Sequence, residues 1–278
     1  MFARMNHPDS RGLKRRAFLQ RTAVAAGLAG LPLAGTQAAE TAPAQREYYE
    51  LRLYHFRKGA QQRRFDDYAS KAAIPALNRI GIGPVGVFNV AIGPDSPTAY
   101  VLIPYPSLNA MAEATDRMRS DPDYLKLGAD YVDATPTDPA YVRVESSLMV
   151  AFTGMPKLEV PAGTAAKQPR LFELRTYESH SKKASKKKIQ MFNEGEIAIF
   201  RRNGLAPVFF GETIIGTRLP NLTYMLTYKD NAEREKAWGA FGGDPEWKKL
   251  STTPGYTDPE IVSNITNVLL RPTGYSQI

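Results

Sequence analysis

The stretch Glu50-Leu51-Arg52-Leu53-Tyr54 returns as Glu173-Leu174-Arg175-Thr176-Tyr177, an offset of 173 − 50 = 123 residues. At the same offset Gly81 and Pro84 return as Gly204 and Pro207, Ile92-Gly93 as Ile215-Gly216, Pro97 as Pro220 and Tyr105 as Tyr228. Asp121-Pro122, followed by Tyr124, returns as Asp244-Pro245, followed by Trp247. One offset serves every match, so no insertion separates the copies across that span. A unit of roughly 110 residues is too long for a solenoid repeat and has the size of one small domain. Two similar domains in one chain pack about a pseudo-two-fold axis, much as a homodimer does. The space between them is the natural place for a ligand.

Each copy alternates strand and helix patterns. Leu51 and Leu53 alternate with Glu50, Arg52 and Tyr54, the period-2 signature of a sheet with unlike faces, and predict a strand over 48–56. Phe65, Tyr68, Ala72, Leu77 and Ile80 fall at helical spacing over 61–80, with Pro75 a misfit that predicts a kink. Gly81 suits a helix C-cap and Pro84 marks the exit. Strands over 85–92 and 99–105, a helix over 109–119 and a last strand over 141–152 complete the unit. Between the last two, Asp121 caps a short turn with Pro122 at its first helical position. The order is β-α-β-β-α-β, the ferredoxin-like split βαβ. The second copy repeats it over 171–178, 185–203, 208–215, 222–228, 232–241 and 265–270. The expected fold class is therefore α+β, two tandem ferredoxin-like repeats closing into a pseudo-dimeric barrel. Repeat 1 spans 47–153, a linker rich in Pro, Gly, Ala and Lys spans 154–169, and repeat 2 spans 170–278.

The ends and the composition set further bounds. Lys14-Arg15-Arg16-Ala17-Phe18-Leu19-Gln20, followed by an Ala- and Gly-rich apolar stretch over 23–33, has the form of a twin-arginine signal peptide spanning 1–39. That stretch is too short for a mature spanning helix. Its expected destination is the periplasm or beyond. The formal charge of +8 comes partly from this segment. Removing its six basic residues and Asp9 from totals of 36 and 28 leaves 30 and 27, a charge of +3. So small an excess gives no case for nucleic acid. Nothing after the signal has the length and apolarity of a membrane span. The absence of cysteine excludes disulfides, thiolate nucleophiles and Cys-ligated metals. With only His55 and His180 after the signal and no carboxylates clustered at ligand spacing, no metal site is expected. No Gly-rich phosphate loop, nucleophile elbow or H-E-x-x-H pattern is present, and no cofactor is expected.

The paired strands of the form E-L-R-x-Y, with the Gly81-to-Pro84 and Gly204-to-Pro207 junctions, resemble NIPSNAP domains over 47–152 and 170–271. The resemblance implies a fold of the dimeric α/β-barrel superfamily. The activity of that family is unsettled. Relatives in the wider superfamily include cofactor-independent monooxygenases and haem-acting enzymes, an analogy at the level of fold.

The candidate ligand-binding residues are Glu50, Arg52 and Tyr54 with Glu173, Arg175 and Tyr177. Alternation puts each set on the face away from Leu51/Leu53 or Phe172/Leu174. The helices are expected to cover the leucine face, so the polar sets look into the barrel. A guanidinium there could hold an anion, and a phenol could donate a proton or orient a carbonyl. The plainer reading is that Glu and Arg pair across the barrel and satisfy each other. Tyr54, Tyr177 and His55 are the candidate catalytic groups, though a hydrogen-bonding role explains His55 as well. The run Lys182-Lys183 with Lys186-Lys187-Lys188 reads as a solvated helix face or an anion-attracting one. Three functions stay open: a barrel binding a small molecule or partner, an oxygenase- or isomerase-like enzyme without a cofactor, and an assembly unit forming homo-oligomers through sheet edges or helix faces.

Overall fold

The computed structural model describes residues 45–278. The twin-arginine segment lies outside the described residues. Repeat 1 contributes β1 (Tyr48–His55), α1 (Ala60–Tyr68), a π turn (Ala69–Ala73), α2 (Ile74–Arg79), β2 (Gly86–Ile92), β3 (Thr98–Tyr105), α3 (Leu108–Arg119), α4 (Pro122–Val132) and β4 (Arg143–Ala151). Repeat 2 contributes β5 (Leu171–Glu178), α5 (Lys182–Met191), a π turn (Phe192–Glu196), α6 (Ile197–Arg202), β6 (Ala206–Ile215), β7 (Asn221–Tyr228), α7 (Asn231–Gly243), α8 (Pro245–Ser251), α9 (Asp258–Ile261) and β8 (Asn264–Pro272). The 123-residue offset carries β1 onto β5, α2 onto α6 and one π turn onto the other without a shift.

Eight antiparallel strands close into a barrel in the order β1-β3-β2-β8-β5-β7-β6-β4. The last strand of each repeat pairs with the second strand of the other, β4 with β6 and β8 with β2. These reciprocal seams leave no sheet edge unpaired, so the closure itself disposes of the edge problem.

Local signals behave largely as their chemistry demands. Asp121 accepts hydrogen bonds from the backbone N–H groups of Asp123 and Tyr124, and Asp244 does the same for Glu246 and Trp247. Gly81 and Gly204 follow their helices at φ 80 and 81, a left-handed conformation that glycine alone adopts without cost. The Asp121 turn opens a helix of 11 residues rather than a short turn. The long helix is interrupted by a π turn, not by a proline kink. Repeat 2 has the same π turn with Ala198 where repeat 1 has Pro75, so the proline is not its cause. The basic run lies within α5, which Ser181 caps by accepting from Ala184 N.

The two faces of the sheet are the reverse of the sequence expectation. Tyr49, Leu51 and Leu53 of β1 and Phe172 and Leu174 of β5 point into the barrel, where they meet Phe88, Leu102, Met149, Phe209, Met225, Leu270 and the terminal Ile278. Tyr54 and Tyr177 point outward, into the layers between sheet and helices. Glu50, Arg52, Glu173 and Arg175 share that outward face. The physical reason is volume and solvation. An eight-stranded barrel has room for a packed set of side chains, and apolar ones fill it without stranding a charge. The helix layer and the outer sheet face offer phenols, an indole and a further guanidinium as partners.

Among the described residues no helix is long and apolar enough to cross a membrane. Phe172 is fully buried at the barrel centre with its ring 4.8 Å from that of Phe88. Phe172→Ala is expected to cost about 3–5 kcal/mol in a denaturant titration. A loss well under 1 kcal/mol would mean that the interior is not the close-packed core described.

Candidate functional site

Glu50 and Arg52 lie two residues apart on one face of β1, which lets the guanidinium fold back on the carboxylate. Arg52 Nε and Nη2 donate to Glu50 Oε1 and Oε2 at 2.7 and 2.8 Å. Ser146 from β4 and Tyr105 from β3 donate to the same carboxylate at 2.8 and 3.1 Å. Burial opposes ionisation of Glu50, but Arg52 and the two hydroxyls outweigh it and hold the carboxyl below its usual range. Burial likewise opposes the Arg52 charge and is more than offset by Glu50. These two charges satisfy each other, but along one strand on the outer face and not across the barrel as the plainer sequence reading has it.

Arg52 nonetheless keeps a third of its side chain exposed (32%), against 13% for Arg175. The exposed part borders a cavity of about 210 Å³ between the sheet and helices α1 to α4. Tyr54, Phe65, Tyr68, Tyr105 and Tyr124 supply its aromatic wall, and Val87, Val101 and Leu77 an aliphatic one. Arg52 and Tyr54, both read as site residues from the sequence, meet here. The Tyr54 Oη accepts only a long 3.5 Å contact from Arg52 Nη1, and its proton has no acceptor among the described residues.

Repeat 2 closes the corresponding volume with its own side chains. Ala69, Leu77, Val87, Val101 and Thr115 of repeat 1 become Phe192, Phe200, Phe210, Tyr224 and Trp238 at the 123-residue offset. The Phe192 ring lies 5.3 Å from Phe210 and 5.4 Å from Tyr224. Trp238 covers Arg175 at 4.5 Å and donates to Glu173 at 2.9 Å. Glu173 also accepts from Arg175, Tyr228 and both Nε and Nη2 of Arg234. Thus Arg175 and Tyr177 are brought together as expected but sealed, whereas Arg52 and Tyr54 face a void.

His55 stands apart from both sets. It is buried at one end of the barrel, with Nδ1 3.2 Å from Thr98 Oγ1 and Nε2 3.1 Å from Glu145. It does not border the Arg52 cavity. Sequence reasoning missed Lys188. Far from being solvated, it is buried against Glu196 at 3.1 Å, within 5.5 Å of the Tyr177, Phe192 and Trp247 rings. Burial works against its charge, and Glu196 more than offsets this, raising its pKa. The helical spacing of Lys188 with Ala184 and Met191 was the available signal, since both of those are buried too. The cavity walls were missed because the signal lies in the comparison of repeats, small residue against aromatic, and not in either copy alone.

Glu173 is fully buried, yet Arg234, Arg175 and Trp238 together outweigh desolvation and depress its pKa below the ordinary 4.5. A depressed carboxylate contributes stability that is fully present above about pH 4.5 and is lost as pH falls toward its folded value. The melting temperature is expected to fall on acidification below that point, and to fall less in Glu173→Gln, which starts lower at neutral pH. Parallel pH curves for the two proteins would remove Glu173 from the acid response.

The NIPSNAP family model matches residues 49–151 and 172–277, one copy for each repeat. A NIPSNAP-like domain protein of Burkholderia xenovorans is 22% identical over 38% of this chain and 88% of its own, with a TM-score of 0.35. Two candidate monooxygenases align over both repeats and share the fold. The one from Fusobacterium nucleatum is 9% identical over 82% of this chain and 93% of its own, with a TM-score of 0.50. The one from Lactobacillus acidophilus is 10% identical over 81% and 94%, with a TM-score of 0.52. No functionally curated protein matches. With both repeats matched in register with the barrel they build, the chain belongs to the NIPSNAP family as two tandem copies in one polypeptide.

Proposed function

We propose that this chain is an exported protein that binds a small molecule in the repeat-1 cavity, with Arg52 and Tyr54 as the polar contacts. The observation that carries the reading is the asymmetry between copies. The two repeats share one backbone and one Glu-Arg-Tyr ladder, yet one keeps a void of about 210 Å³ where the other is filled by aromatic rings. An unfilled apolar void costs a protein stability in proportion to its volume. Repeat 2 demonstrates that this fold can fill the space, so keeping it open in repeat 1 calls for an occupant. The combination of an apolar wall with a few convergent polar groups is that of a ligand pocket.

The wide barrel interior contributes less. Its centre is packed, and a smaller space of about 130 Å³ lies toward the end lined by Ser147, Thr176, Thr223 and Thr266. Among the described residues Tyr105, the one cavity phenol that meets a carboxylate, donates to a Glu50 already bound twice by Arg52, so that pair reads as structural and binding is favoured over the enzymatic reading. The monooxygenase description of the two structural neighbours supports the fold and no more, at 9 and 10% identity.

Thr115 stands where Trp238 lids the second repeat, so Thr115→Trp should close the cavity from its rim. Native mass spectrometry of protein purified from its own periplasm should show a small bound mass on the wild type and none on this variant. A wild type without such a mass, or a folded variant that keeps it, overturns the reading. Export rests on Arg15-Arg16 and the apolar stretch behind them. Replacing both arginines by lysine is expected to leave precursor in the cytoplasmic fraction. Periplasmic protein of mature length from that variant would count against the twin-arginine route.

A further inference from the structure

Repeat 2 carries a tenant in the space that repeat 1 leaves open, and that tenant is a phenol. Tyr224 lies directly across the β5–β7 pair from Arg175, as Val101 lies across the β1–β3 pair from Arg52. The Tyr224 hydroxyl donates to Tyr177 Oη at 3.0 Å, and Tyr177 Oη accepts from Arg175 Nη2 at 3.1 Å. Its ring stacks on Phe210 at 5.2 Å. Repeat 1 retains the receiving end of this chain, Arg52 and Tyr54, and has only a valine where the ring would start.

We infer, on the reading that the repeat-1 cavity binds a small molecule, that its ligand is a hydroxyarene: a planar aromatic ring whose hydroxyl hydrogen-bonds Tyr54 Oη. Charge favours this class over a carboxylate. Arg52 is already neutralised by the two hydrogen bonds it donates to Glu50, so an anion entering the cavity would meet an ion pair of no net charge, with the carboxylate adding repulsion. A neutral hydroxyl meets instead an unused proton on Tyr54 and an Arg52 Nη1 engaged only by its long 3.5 Å contact with Tyr54 Oη. The walls suit a ring, since Phe65, Tyr68 and Tyr124 offer edges and faces for aromatic contact. The volume suits one substituted ring or two fused rings, because a cavity of about 150 Å³ already admits benzene.

Equilibrium dialysis of the full chain against 2-naphthol, naphthalene and 2-naphthoate tests the inference. One 2-naphthol is expected per chain, bound about tenfold more tightly than either analogue, the worth of one buried hydrogen bond. Tyr54→Phe deletes a single oxygen and should erase the preference over naphthalene while naphthalene binding persists. Val101→Tyr transplants the repeat-2 tenant and should abolish binding; Thr115→Trp serves as the blocker if that variant does not fold. Equal affinity for the three compounds, a preference that survives in Tyr54→Phe, or no 2-naphthol binding overturns the hydroxyarene assignment and leaves the cavity reading to its own test. Undiminished 2-naphthol binding in folded Val101→Tyr and Thr115→Trp places the ligand elsewhere and overturns both.

Discussion

The buried ion pair between residues two apart on the first strand of each repeat, Glu50 with Arg52 and Glu173 with Arg175, is the constraint around which the rest is arranged. Neither charge can enter the closed barrel without losing its remaining partners, and neither can be left bare under a helix layer. The pair therefore decides which face of each sheet looks outward. It also decides what the neighbouring strands must supply: Tyr105 and Ser146 in one copy, Tyr228 in the other. Removing one partner would strand the other in a medium that solvates it poorly, which is why the ladder recurs unchanged in both copies while the walls around it diverge.

Much of this architecture is legible in the sequence because duplication is a strong constraint on register. The offset that relates Glu50 to Glu173 also relates both Asp-Pro caps and both helix-ending glycines, which pair from the sequence alone, and both π turns, which only the structure reveals. The period-2 pattern of β1 identified two unlike faces but not which one the helices cover. Alternation is symmetric in that respect: leucines facing a barrel and leucines facing a helix give the same string. What separates the two cases is the amount of space and the partners available on each side, a property of the closed assembly. Lys188 was hidden for a similar reason. A lysine in a run of lysines reads as solvated, and only its place on the same helix face as Ala184 and Met191 betrays that it is buried.

Lys188 also shows how the second copy came to be sealed. It replaces Phe65, and Glu196 replaces Ala73, so the pair occupies wall positions of the first copy's helix layer. Its ammonium sits among three aromatic rings and two carboxylates, Glu196 at 3.1 Å and Asp258 at 3.8 Å, a setting that suits a paired cation and punishes an unpaired one. Together with the indole of Trp238 over Arg175, it turns the outer layer of repeat 2 into a rigid polar-aromatic core.

Divergence of this kind is open to a fused pseudo-dimer and closed to a symmetric one. In a homodimer any substitution that fills one cavity fills its mate, because both come from one sequence. In a single chain the copies are free to separate the two demands on the fold. Repeat 2 takes the large rings and contributes packing energy. Repeat 1 keeps small residues at Ala69, Val101 and Thr115 and bears the cost of an open volume beside Arg52. The reciprocal seams, β4 on β6 and β8 on β2, couple the copies so that stability gained in the sealed half supports the strand that carries Arg52 and Tyr54. A pocket with one polar edge can then persist in a barrel whose own interior has no room for it.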